Sequence, residues 1–149
     1  MHTYCMQSVI PTVAGALTAI AEGSARPEEI LEACLTRIAA RNGTLHAVHY
    51  LDEAGARAMR GTGPLTGIPW GIKDNFDVAG LPCIANSRLR AGRIAATDAP
   101  LVTMLRQTGA PLLGKLATWA YGTGTGAEHF DLPNLPARNP WDTARFTGG

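Results

Sequence analysis

Apolar residues in the first quarter of the chain recur at the spacing of one helix face. Val13, Leu17 and Ile20 share such a face, which predicts a helix that ends at Gly23. Further along, shorter apolar runs alternate with helical patterns. This alternation is typical of a protein in which helices cover a sheet.

A second helix is predicted to begin at Pro27 and to end at Gly43. Two glutamates follow the proline, where they suit the positive end of the helix dipole. The predicted buried stripe consists of Ile30, Leu31, Cys34, Leu35 and Ile38. Because Cys34 lies on this stripe, we expect it to pack in the interior and not to react.

Three strands and two more helices are predicted after residue 44. Residues 45–51, 68–73 and 110–115 have the length and the apolar or β-branched content of strands. A short helix is expected from 52, with Asp52 as its N-cap. Another is expected within 97–109, capped by Thr97 or Asp98, with an inward face of Leu101, Val102 and Leu105. The fold class that follows is α/β.

The last thirty residues have a different character. From Tyr121 onward, glycines, threonines and prolines replace any sustained periodicity, and the chain stops in "RFTGG". Domains seldom end inside a glycine-rich turn, so we interpret residues 1–149 as part of a single domain that is incomplete at its C-terminus.

Composition narrows the class of protein. The apolar fraction of 46% fits a globular protein, and a net charge of +1 gives no electrostatic reason to expect nucleic acid or an acidic membrane as partner. Cys5, Cys34 and Cys83 are odd in number and widely spaced, which favours reduced thiols and a cytoplasmic location. No apolar run is long enough to span a bilayer, and no secretory signal is recognisable.

Two glycine-containing segments resemble ligand loops only superficially. Residues 109–116 contain G-x-x-x-x-G-K, but Leu116 stands where a phosphate loop needs Ser or Thr, and the segment follows a helix. The glycines of "YGTGTG" do not have dinucleotide-binding spacing. We therefore interpret this second segment first as a flexible loop, with a substrate-lining role as the alternative.

No metal site is predicted from the histidines. In a strand over 45–51, His46 and His49 would lie on opposite faces, because side chains alternate there. No cysteine or carboxylate cluster lies near them in sequence to complete a ligand set.

Lys73 is the strongest candidate for chemistry. It is one of only two lysines, in a chain that otherwise uses arginine, and it ends an apolar segment. A lysine kept away from water can lose its proton and serve as a general base, which arginine cannot do. The competing interpretation is an ordinary ion-paired lysine, with Asp74 or Asp77 as its partner.

Three segments closely resemble the amidase signature family. Residues 64–82, "PLTGIPWGIKDNFDVAGLP", resemble the lysine segment of that family, and 97–115 resemble its D-A-x-x-V-x-x-L-x-x-x-G-A-x-x-x-G-K segment. Residues 137–149, "ARNPWDTARFTGG", resemble the approach to its Gly/Ser-rich signature. All three occur in the family's order. Within the family, the residues "DNFDVAGLP" resemble those of allophanate-hydrolase-like members.

This resemblance implies the N-terminal part of the amidase signature fold, a mixed sheet covered by helices. It implies a serine hydrolase with a Ser–cis-Ser–Lys triad, no cofactor, and a small amide or urea derivative as substrate. Lys73 matches the catalytic lysine, and Gly122, Thr123 and Gly124 match the loop that lines the acyl pocket. Both serines would follow Gly149, so the 149-residue chain alone is expected to be inactive.

Two departures from the family pattern and two other functions stay open. Ala120 replaces a common acidic residue, and Cys83 with Ile84 replaces a common threonine pair; Cys83 is thereby a second, weaker candidate nucleophile. The alternatives are a glutamyl-tRNA amidotransferase A-type subunit, which would need partner subunits, and a truncated protein without activity. A homodimer is an expectation for the full-length form.

Overall fold

The computed structural model describes residues 12–123, 132–145 and 147. The helices of this part are α1 (Val13–Ala21), α2 (Pro27–Leu45), α3 (Glu53–Ala58) and α4 (Pro100–Arg106). Its strands are β1 (Val48–Leu51), β2 (Trp70–Lys73) and β3 (Leu112–Leu116). Short 3-10 turns cover Arg88–Arg90 and Ala120–Gly122. No helix among these elements combines the length and the apolar character that a bilayer crossing requires.

Helices α1 and α2 lie where the apolar spacing predicts them. α1 is capped by Thr12, whose side chain accepts a hydrogen bond from the amide of Gly15. α2 begins at Pro27 as predicted but does not end at Gly43, because it continues to Leu45 and His46 takes the left-handed conformation that ends it. Ile30, Leu31 and Leu35 are buried on α2, and Cys34 and Ile38 are half-buried. The buried stripe is therefore confirmed.

The three strands form one mixed sheet in the order β1-β3-β2. β1 pairs with β3 antiparallel and β2 pairs with β3 parallel, so β3 is central. The predicted α/β class is confirmed. Gly114 of β3 has a φ of 145°, and a Cβ built there would lie 2.1 Å from the carbonyl oxygen of Tyr50. Only glycine allows β1 to approach β3 this closely.

The prediction that His46 and His49 occupy opposite faces of a strand is wrong. His46 is the residue that ends α2, and the strand begins only at Val48. His49 is the extra residue of a β-bulge, because the register with β3 shifts between Val48 and Tyr50.

Helix α4 differs from its prediction in cap and face. Its N-cap is Ala99, with no side-chain hydrogen bond, while Asp98 accepts from the amide of Ala79 and pairs with Arg106. Pro100 in the first turn explains why the helix needs no cap, since proline presets φ and removes one unsatisfied donor. Val102 is fully buried as expected, but Leu101 is exposed.

Three clusters of buried side chains hold these elements together. The first lies between β2, β3, α4 and the loop after β2, the second between α1, α2 and Ile68, and the third between α2 and α3. The buried members of the first cluster are Ile72, Val78, Leu81, Val102 and Leu112. Those of the second are Ala16, Ile30 and Ile68, and those of the third are Leu31, Leu35 and Ala56. The first cluster fixes the end of β2, where Lys73 lies.

Candidate active site

Lys73 is the last residue of β2 and is half-buried. In the parallel register it lies beside Leu116, while Ile72 lies beside Lys115. A Cβ built on Gly71 would contact the Leu116 side chain, so Gly71, Lys73 and Leu116 share one face of the sheet. Lys73 thus stands at the carboxyl ends of two parallel strands, the edge at which open α/β sheets bind ligands.

Neither aspartate near Lys73 pairs with it, so the ion-paired interpretation of this lysine is wrong for both named partners. The Asp74 carboxylate lies 3.0 Å from the ammonium nitrogen of Lys115. Asp77 receives two hydrogen bonds from the guanidinium of Arg93, at 2.5 and 2.6 Å. Those bonds hold the pKa of Asp77 well below its usual range. Among the described residues no carboxylate forms an ion pair with Lys73.

The structure brings Gly122 to the Lys73 amine. A Cβ built on Gly122 would lie 3.6 Å from Lys73 Nζ, 3.4 Å from the side-chain amide nitrogen of Asn75 and 3.8 Å from the hydroxyl of Thr118. Gly122 has a φ of 77°, and Thr123 after it is exposed and donates its hydroxyl to the carbonyl of Ala120. Gly124, the third predicted lining residue, lies outside the described residues.

A cavity of about 50 Å³ adjoins Lys73. Its walls come from β2, from the segment after β3 and from the C-terminal segment: Lys73, Ala117, Thr118, Trp119, Pro136, Ala137 and Thr147. This volume suits water or a small polar group more than a bulky ligand.

Asn86 connects the segment after β3 to the C-terminal segment, and both of these segments supply walls of the cavity. This residue was not identified from the sequence. Its side chain is fully buried, donates to the carbonyls of Thr118 and Asn134, and accepts from the backbone amide of Asn134 at 2.9 Å. Its φ of 49° is the left-handed conformation that asparagine tolerates better than most residues. A single asparagine in a loop gives no sequence signal for such a role, because its partners lie far along the chain.

Cys83 lacks the surroundings of a nucleophile. It is 1% exposed, and its thiol donates to the carbonyl of Asp74 at 3.6 Å. Burial raises the pKa of the Cys83 thiol, which disfavours the thiolate. The Cys83 alternative is therefore disfavoured on both accessibility and charge.

The segment 109–116 has the structure expected for a buried strand. Leu112–Leu116 is β3, so the glycine–lysine pair lies in the middle of a sheet and not at the start of a helix. The segment therefore lacks the turn from a strand into a helix that a phosphate loop requires. Lys115 itself is fully buried, and its ammonium donates to the Pro82 carbonyl at 2.8 Å in addition to Asp74.

The described residues thus place a lysine at the end of a parallel strand, beside a glycine turn and a small cavity. The sequence profile of the amidase family matches residues 29–149, and the chain belongs to that family. This confirms the family resemblance and the fold that it implies.

Relatives and solved structures agree with this assignment. The glutamyl-tRNA(Gln) amidotransferase A-type subunit of Acidothermus cellulolyticus is 35% identical over 87% of this chain, and that of Chloroflexus aggregans is 36% identical over 93%. The 6-aminohexanoate cyclic dimer hydrolase matches 95% of the chain with a TM-score of 0.86 at 26% identity. The corresponding amidotransferase structure from Thermotoga maritima matches 93% with a TM-score of 0.78 at 25% identity. The chain spans 28% and 30% of the two curated relatives, and 30% and 29% of the two solved chains.

Proposed function

We propose that this chain supplies the lysine base of an amide-bond hydrolase with a Ser–cis-Ser–Lys triad. The observation that carries the proposal is the setting of Lys73 at the carboxyl end of β2, beside the cavity and against Gly122. With Asp74 paired to Lys115 and Asp77 paired to Arg93, no carboxylate of the described chain stabilises the protonated form of Lys73 by direct contact. Lys73 therefore has no carboxylate charge to balance, and lysine, unlike arginine, is able to act as a general base.

The proposed reaction begins with the neutral amine of Lys73. It takes the proton of a bridging serine, which takes the proton of the nucleophilic serine as that oxygen attacks the amide carbon. The C–N bond then breaks, and the leaving amine receives the proton that Lys73 had accepted. Water, activated by the same route, releases the acid from the acyl-enzyme. The backbone at Gly122, with Thr123 and Gly124 after it, would line the acyl group.

The serines that the structure describes are poor candidates for the other two members of the triad. The sequence has three, Ser8, Ser24 and Ser87. Of the two that the structure describes, Ser24 donates to the carbonyl of Ala19 and Ser87 donates to the hydroxyl of Tyr121. As the family resemblance implies, we propose that both catalytic serines belong to a part of the domain that follows Gly149.

The proposed substrate is a small amide or urea derivative, with no cofactor, and the proposed location is the cytoplasm. The unpaired thiols of Cys34 and Cys83 are consistent with a reducing compartment. The leaning towards allophanate hydrolases and the homodimer of the full-length form stay predictions.

The central experiment compares Lys73→Ala and Lys73→Arg with the parent in the full-length protein, measuring ammonia release from simple amides. Both variants should lose about 10²- to 10⁴-fold in kcat. Alanine lacks the amine, and arginine keeps the charge but cannot give up its proton. Arg41→Ala, a cationic change on the exposed side of α2, is the control and should keep full activity. Normal turnover by Lys73→Arg would refute the proposed base.

A second experiment concerns the length of the chain. The 149-residue chain should release no ammonia, because it lacks the nucleophile. Turnover by this short form at the rate of the full-length protein would overturn the proposed division of the triad.

The second candidate function is that of an amidotransferase component that releases ammonia from glutamine for a partner. It is favoured by the curated relatives, which are A-type subunits of glutamyl-tRNA(Gln) amidotransferases. Affinity purification of the full-length protein separates the two functions. Stable co-purification of partner subunits, with glutamine-dependent amidation of glutamyl-tRNA, would favour the amidotransferase. A protein that is active without partners would favour the stand-alone hydrolase.

A further inference from the structure

The ion pair of Lys115 and Asp74 is the most deeply buried charged contact among the described residues. The Lys115 side chain is 0% exposed and the Asp74 side chain 3% exposed, and their atoms Nζ and Oδ1 are 3.0 Å apart. The second hydrogen bond of the ammonium, to the Pro82 carbonyl, partly offsets the loss of water. The proposed amidase chemistry uses neither side chain.

Asp74 connects three segments at the residue directly after Lys73. Its amide donates to the Leu116 carbonyl at 3.0 Å, which extends the parallel pairing one step beyond β2. Its carbonyl accepts from the amide of Ala85 at 3.1 Å, and its carboxylate holds Lys115. The residue that follows the proposed base is therefore fixed through its amide, its carbonyl and its side chain.

The two lysines use opposite faces of the sheet. Lys115 lies beside Ile72 in the register, and Lys73 lies beside Leu116, one residue further along both strands. Because side chains alternate, the Lys115–Asp74 pair lies behind the sheet while Lys73 faces the cavity. Neither Lys115 nor Asp74 lines the cavity, so we infer that their influence on Lys73 passes through the strand backbone.

We propose that Lys115 and Asp74 are positioning residues for Lys73. The buried pair locks the end of β2 onto β3 and the 82–85 loop, and this fixes the direction in which the Lys73 side chain leaves the sheet. The inference rests on the proposed role of Lys73 as the base.

The test follows Lys73 by NMR in the full-length protein. Lysine labelled with ¹³C at Cε gives a signal for each lysine, and the signals of Lys73 and Lys115 are those lost in Lys73→Arg and Lys115→Arg. In Lys115→Met/Asp74→Leu the pair is replaced by apolar side chains of similar size, a change that buried pairs often tolerate without loss of fold. In this variant the Cε signal of Lys73, identified by its loss when Lys73→Arg is added, reports the surroundings and the mobility of the side chain through its chemical shift and line width.

In the double variant we expect the Lys73 signal to move towards that of a solvated lysine and to narrow, while the thermal unfolding midpoint is retained. The same double change in the full-length protein should lower kcat at least tenfold. The proposal is overturned if the folded double variant keeps both the parent signal and the parent kcat.

A matched control removes the other ion pair of the same loop. Asp77→Leu/Arg93→Met eliminates a pair whose side chains are 35% and 36% exposed, and the Lys73 signal should stay unchanged. An equal displacement of Lys73 in this control would show that any damage to the loop suffices, which also contradicts the proposal. If Lys73→Ala retains turnover, the base assignment fails, yet the NMR comparison still decides whether the pair positions Lys73.

Discussion

Lys73 and Lys115 lie on adjacent parallel strands, and the register of those strands directs their side chains to opposite faces of the sheet. One amine is half-buried beside a small cavity, and the other is fully buried against Asp74. The two lysines of an arginine-preferring chain therefore have different surroundings. Arginine does not give up its proton and so could not act as a base at the first place, and its planar fork would not match the point contacts of the second.

Removing Lys115 alone should destabilise the chain strongly. In Lys115→Met the Asp74 carboxylate stays buried without its partner, which costs about 3–5 kcal/mol in the free energy of unfolding. Denaturant unfolding measures this cost. Arg145→Met, which breaks an ion pair between side chains that are 77% and 48% exposed, is the control and should cost less than about 1 kcal/mol. Equal losses in the two variants would contradict the distinction between buried and exposed pairs.

Gly114→Ala should be among the most damaging single-methyl additions. The new methyl would lie 2.1 Å from the Tyr50 carbonyl oxygen, in a backbone conformation that side chains rarely adopt. Clash and strain together should cost about 3 kcal/mol or more. Gly43→Ala is the matched control, since Gly43 lies exposed within α2 with no atom near the new methyl; it should gain about 0.5–1 kcal/mol. A destabilised Gly43→Ala, or a Gly114→Ala of parent stability, would count against this packing.

The Cys83 thiol should resist alkylation in the folded chain. It is buried, and burial raises its pKa, so both access and thiolate are lacking at pH 7. Iodoacetamide labelling followed by mass spectrometry of each cysteine peptide should show Cys83 modified only after urea unfolding. Labelling of native Cys83 at pH 7 as fast as in urea would contradict this prediction and revive it as a nucleophile.

His49 should make the chain less stable below neutral pH. Neither ring nitrogen has a hydrogen bond of normal geometry, and burial lowers the pKa of His49 more than Asp74 and the nearby Leu135 backbone raise it. Between the lowered pKa and the ordinary value of about 6.5, the unfolded chain binds more protons than the folded one. The free energy of unfolding is therefore fully retained above pH about 6.5 and falls as the pH is lowered from there towards the pKa of the folded state.

His49→Gln should remove the part of this decline that lies between pH 7 and 5, as measured by urea unfolding across that range. His46→Gln, at the neighbouring histidine that ends α2, should leave the decline in place. A slope unaltered by His49→Gln would assign the pH dependence to another group.

The sequence predicted local structure well and tertiary pairing poorly, for a physical reason. The apolar spacing of α2, the Asp52 cap of α3 and the strand that ends at Lys73 depend on neighbours along the chain. The end of α2 was predicted at Gly43, because glycine favours the left-handed conformation that ends helices. In the structure His46 adopts that conformation instead.

Contacts between distant residues were beyond reach. Asp74 and Lys115 are 41 residues apart, and Asn86 and Asn134 are 48 apart. These pairings depend on the strand register and on the course of the loops. Neither can be predicted from the spacing of residues within one segment of the sequence. Lys73 could be singled out because residue type and position at a strand end carry chemical meaning by themselves.

The hydrogen bonds of Asn86 also bear on the order in which the molecule assembles. Segments 48 residues apart must meet before the amide of Asn134 reaches Asn86, and closing so long a loop carries an entropic cost that local helices avoid. We therefore expect the contact between Asn86 and Asn134 to form later in folding than the helices. On that expectation, the side of the Lys73 cavity supplied by Pro136 and Ala137 closes only once this distant segment has docked.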